Sequence, residues 1–107
     1  MPNYSGEINN FVGGDDLDIV RTITNLPSGQ TITEALFTVK LSESGQTNLF
    51  QITGTVAGTE ITFAVTNEHT ALLNPGNWCY YDIQIETSAG KIYTPEKGRI
   101  KGEIGIT

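Results

Sequence analysis

The chain has 107 residues and carries six Lys plus Arg against twelve Asp plus Glu, a formal charge of −6. That length suits one domain, and an acidic chain with scattered cations suits neither counterion-release binding of nucleic acid nor an anionic membrane surface. One Cys and one His allow no internal disulfide and no zinc cage of the usual type within the chain, so stability rests on packing.

Residues 1–6, "MPNYSG", hold little to bury apart from Tyr4 and read as an N-terminal arm ahead of a domain over 7–107. No charged-then-apolar leader follows Met1, and no apolar run approaches the ~20 residues of a membrane helix, so neither a signal peptide nor a span is expected. "VGGDD" marks a turn. Asp15, Asp16 and Asp18 offer oxygens to calcium in principle, but they lack the spacing and closing glutamate of a dedicated loop. A solvated turn entering a strand is the simpler reading. Leu17, Ile19 and Ile23 then share one parity, with Arg21 spoiling the pattern.

Beyond "NLPSGQ", Ala35, Phe37, Val39 and Leu41 alternate with Leu36, Thr38 and Lys40, the period-2 signature of a half-buried strand. Turn residues in "SESGQ" and "VAGTE" set off a shorter strand with Phe50 and Ile52 and another with Ile61, Phe63 and Val65. Only "TNEHTALL" (66–73) reads as helical, with Thr66 or Asn67 as cap, Glu68 at the positive end and Pro75-Gly76 as stop. His69 lies in that turn beside no nucleophile motif and reads as a turn residue rather than a base or metal ligand.

The stretch "NPGNWCYYDIQIET" (74–87) holds the only Trp, the only Cys and two of the four Tyr. Residues of one parity share a strand face. Cys79, Tyr81, Ile83 and Ile85 form a continuous core-like set, whereas Trp78, Tyr80, Asp82, Gln84 and Glu86 end in polar side chains. The first set is expected inward. Trp78 and Tyr80 are expected outward as candidate interface anchors, unless a neighbouring loop of the same domain covers Trp78. "TSAG" and "TPEKG" punctuate the remainder, where Ile100, Ile104 and Ile106 share a parity. Seven or eight short strands, one helical turn and no βαβ pattern predict an all-β antiparallel sandwich.

No catalytic constellation emerges. Cys79 has no paired histidine in its segment, no carboxylate pair rises above the rest, and the glycine turns match neither the phosphate loop nor the dinucleotide fingerprint. Neither an enzyme nor a cofactor is expected.

The second half is similar to a small immunoglobulin-like domain of bacteriophage virion proteins, found at the N-terminus of baseplate upper proteins and in other tail- and fibre-associated chains. The matching residues are Thr70, Ala71 and Leu73; Pro75-Gly76; Tyr81-Asp82-Ile83; Gly90-Lys91; Tyr93-Thr94; and Gly98, with "ITEALFTVK" (32–40) resembling the preceding strand. The resemblance spans roughly residues 13–107. Cys79 departs from it, standing where an aromatic is usual, with Trp78 displaced one position. The resemblance implies an immunoglobulin-like sandwich with a non-enzymatic structural role in the virion, after synthesis in the bacterial host cytoplasm. It implies an assembly module of the tail, baseplate or fibre region; a capsid decoration protein is the neighbouring expectation. The implied partners are further copies of the chain and other virion subunits, with Trp78, Tyr80 and Tyr4 as candidate contacts. The alternative is a carbohydrate-binding module that stacks glycan on Trp78 and Tyr80 and uses Asp82 or Gln84 for sugar hydroxyls.

Overall fold

The computed structural model describes residues 6–8, 16–24, 26–42, 48–73 and 77–102, with backbone alone at 6–8. In chain order the elements are β1 (Gly6–Ile8), β2 (Leu17–Thr22), β3 (Ile32–Lys40), β4 (Asn48–Thr53), β5 (Thr55–Ala57), β6 (Glu60–Val65), α1 (Asn67–Thr70), β7 (Cys79–Thr87) and β8 (Ile92–Ile100). They form a five-stranded sheet, β1-β8-β7-β3-β4, and a three-stranded sheet, β2-β6-β5. Every pairing is antiparallel except β1 with β8, which is parallel over Gly6–Ile8 and Gly98–Ile100. The order β8-β7-β3-β4 opposite β2-β6-β5 is the layout of an immunoglobulin-like sandwich.

Alternation explains which face each strand turns inward. Ala35, Phe37 and Val39 of β3, Phe50 and Ile52 of β4, and Cys79, Tyr81, Ile83 and Ile85 of β7 are buried against Ile19 of β2 and Ile61, Phe63 and Val65 of β6. Phe37 is the hub, its ring centroid 5.3 Å from Tyr81, 5.6 Å from Phe63 and 6.4 Å from Phe50. The inward set expected along 79–85 is therefore the buried one.

Leu41 departs from its expected place. Sequence alternation groups it with Ala35, Phe37 and Val39, yet it is 62% exposed. The β3–β4 register shifts between Val39 and Lys40 and the strand ends at Lys40, so parity no longer carries to the next residue. Ile104, Ile106, Tyr4 and Asp15 lie outside the described residues.

The helical turn α1 is capped by Thr66, whose N–H donates to His69 Nδ1 at 3.2 Å. Asp16 Oδ1 accepts the Asn67 N–H at 2.6 Å, so one of the acidic residues considered for calcium instead satisfies a free donor at the helix start. His69 is half-buried, its ring 5.0 Å from that of Phe50. Leu73, just beyond α1, is buried at one end of the core.

Candidate functional site

The outer face of the five-stranded sheet is built by strand register. Tyr80 on β7 stands between Arg99 on β8 and Lys40 on β3, and Asp82 stands between Lys97 and Thr38. Trp78, just before β7, lies under Arg99 Cζ at 4.2 Å and Lys101 Nζ at 4.5 Å from its ring centroid. Cations over an indole face gain from the ring quadrupole while their stems cover apolar surface, which leaves Trp78 half-buried rather than open. Four of the chain's six cations, Lys40, Lys97, Arg99 and Lys101, thus gather around the Trp78–Tyr80 pair.

A shallow depression of about 130 Å³ lies at this end, bordered by Lys40, Tyr80, Asp82 and Lys97. Asp82 Oδ1 is buried there without a hydrogen-bond partner. Burial raises the Asp82 carboxyl above its ordinary value, with Lys40 and Lys97 opposing the shift. A raised carboxyl means the charged form costs stability at neutral pH, and that this cost fades as pH falls through the folded value. Asp82→Asn is therefore expected to keep or raise the urea midpoint at pH 7, with the difference closing at about pH 3. A drop confined to pH 7 would show instead that the two lysines hold a carboxylate the fold needs.

A second depression, about 460 Å³, opens at the seam between the sheets, floored by Ile83 and Ile85 and flanked by Leu26 and Tyr93. At its margin Arg21 Nε meets Glu96 Oε1 at 2.8 Å, Arg21 Nη2 meets Glu96 Oε2 at 3.1 Å, and the Tyr81 hydroxyl donates to the same carboxylate. Burial lifts the Glu96 carboxyl, but hydrogen bonds from Arg21 and Tyr81 outweigh it and hold the group below its ordinary value. The pair ties β2 of one sheet to β8 of the other. These groups satisfy one another. Arg21, which spoils the sequence alternation, keeps its inward parity because Glu96 waits across the seam.

Of the candidate contact residues, Trp78 and Tyr80 are brought together on the outer face, and Tyr4 is outside the described residues. Cys79 faces the core, where burial pushes its thiol up and away from reactivity. Among the described residues no three His, Cys, Asp or Glu side chains gather as a metal ion would need. No known protein-family model matches the chain, and no curated protein matches its sequence.

Proposed function

We propose that the chain is a non-enzymatic virion module of a bacteriophage, an immunoglobulin-like sandwich that assembles with copies of itself and with other virion subunits in the tail, baseplate or fibre region. The observation that carries the protein-contact reading is the Trp78–Tyr80 pair on an outer sheet face, ringed by Lys40, Lys97, Arg99 and Lys101. Aromatic residues and Arg are the side chains enriched in protein interfaces. The phage assignment rests on the sequence resemblance over 66–100. A glycan platform is disfavoured by the same geometry, because a sugar ring must stack on an indole face that Arg99 and Lys101 cover.

The test is protein mass spectrometry of particles purified from the bacterial host, with the chain expected in stoichiometric amounts. Absence from particles, together with retention on a glycan column, would overturn the reading. Trp78→Ala and Tyr80→Ala are each expected to leave the unfolding free energy from urea titration within about 1 kcal/mol of wild type, while weakening attachment to partner subunits by ~2 kcal/mol, roughly thirtyfold. Cooperative unfolding of the Trp78→Ala chain would count against an interface role.

A further inference from the structure

The outer face of the five-stranded sheet is sorted by charge along its strands. At one end stand Lys40, Lys97, Arg99 and Lys101, four cations against the carboxylate of Asp82 and, in register beside Arg99, Glu7 of β1. At the other end Glu34 on β3 is paired directly with Glu86 on β7, and both are exposed. Lys91, in the β7–β8 turn, accepts the N–H of inward-facing Thr87 at its backbone carbonyl and so has the opposite parity to Glu86. Six residue steps along β7 separate Tyr80 from Glu86, about 20 Å at strand rise. That is roughly twice the Debye length at physiological salt, so the two ends act as distinct poles.

Two like charges directly opposite across an antiparallel pair are unfavourable within one chain. Cations arriving from outside would relieve them. Between the poles the face carries Gln84, Leu36 and Thr53, a neutral row with one half-buried leucine.

We infer that this face is a self-complementary docking surface for a second copy of the chain, packed face to face about a two-fold axis so that the Lys40–Lys97–Arg99–Lys101 pole of each copy meets the Glu34–Glu86 pole of the other. A two-fold operator presents the same patch on both subunits, and a face with opposite poles satisfies that requirement twice over. Face-to-face sheets with strands antiparallel across the interface put β7 over β7, with Trp78 and Tyr80 of each copy beside the Glu34 and Glu86 of its mate. The flat area is on the order of 400 Å² per copy, about 800 Å² in total given ~4.8 Å between strands, below the range of stable specific complexes. The dimer is accordingly weak and salt-sensitive, as befits one contact reinforced by others in an assembly.

This inference deepens the assembly reading and rests on it for its biological setting, but its test is made on the isolated chain. Sedimentation equilibrium at low salt is expected to show reversible dimers that dissociate at high salt. Glu34→Lys with Glu86→Lys makes both poles basic, and Lys40→Glu with Lys97→Glu makes the face largely acidic. Each doubly substituted chain is expected to lose self-association by tenfold or more, and an equimolar mixture of the two is expected to regain it as heterodimers. Far-UV circular dichroism and urea midpoints establish that both are folded. Should the Lys40–Lys97 chain fail to fold, Lys101→Glu serves as the acidic partner. A wild-type chain that stays monomeric at low salt, or dimers indifferent to both reversals, would overturn the inference. Recovery of the chain in purified particles alongside either of those results would leave the assembly reading standing with a different contact.

Discussion

Tyr81→Ala is expected to lower stability by about 3–5 kcal/mol, as truncation of a packed aromatic does. Against a total of roughly 5–15 kcal/mol, that leaves a large unfolded fraction. Tyr81 is 3% exposed, its ring packs on Phe37, and its hydroxyl donates to Glu96. Tyr81→Phe separates these two contributions. It keeps the ring and removes only the hydrogen bond to a charged partner, at a cost of about 1–2 kcal/mol near neutral pH. The pH dependence of that smaller cost follows from Glu96, whose folded carboxyl lies below its ordinary value. A carboxyl depressed in the folded state contributes fully above the unfolded value of about 4.3, and loses its contribution as pH falls through the folded value. The penalty of Tyr81→Phe is thus expected to shrink between pH 7 and pH 3 in urea titrations. A Tyr81→Ala midpoint equal to wild type would mean that the ring is not packed as described. A pH-independent Tyr81→Phe penalty would mean that Glu96 is not the hydroxyl's partner.

The same residue shows what a sequence reader can and cannot see. Its inward orientation is legible, because Cys79, Tyr81, Ile83 and Ile85 repeat with period 2 and strand parity is a local property. Its partner is not. Glu96 lies fifteen residues away and Arg21 a further sixty in the other direction, joined only when β2 and β8 come to face each other across the seam. The one local clue is a charged residue at an inward position, Arg21 in the Leu17–Ile19–Ile23 pattern, which reads as an imperfection until its counter-ion is known. The outer face follows the same rule. Trp78 and Tyr80 can be assigned to it from parity, but the gathering of Lys40 with Lys97 and of Glu34 with Glu86 is a consequence of β3–β7–β8 register, which no local window contains. Leu41 fails for a related reason, since a register shift at the end of β3 breaks the parity that the pattern extends. Turn chemistry marks where strands stop, and says nothing of which sheet the next strand joins.

That silence is clearest at Gly54. Strand β4 belongs to the five-stranded sheet and β5 to the three-stranded one, and the single residue between them is Gly54. Its N–H donates to Ala35 O at 2.8 Å, anchoring the corner to β3 as the chain crosses the core. The glycine is needed for space. Gly29, Gly58 and Gly90 have positive φ and open surroundings, whereas a Cβ at Gly54 would meet Ile61 Cγ2 and Phe63 Cε1, each at 2.7 Å. Both neighbours are fully buried, so neither can swing into solvent to make room. Gly54→Ala is therefore expected to destabilise by about 1–3 kcal/mol through overpacking, despite the lower backbone entropy cost that alanine brings. The mechanism has a specific signature: Phe63→Leu, costly alone, should recover part of the loss when combined with Gly54→Ala, because each substitution acts on the same space. Strictly additive penalties in that double-mutant cycle, or an unchanged midpoint for Gly54→Ala, would show that the corner relaxes freely. The crowding falls on the inner layer, away from Trp78, Tyr80 and the two charged poles. The folded fraction of Gly54→Ala is accordingly expected to self-associate like wild type, which separates a loss of core stability from a loss of the docking face.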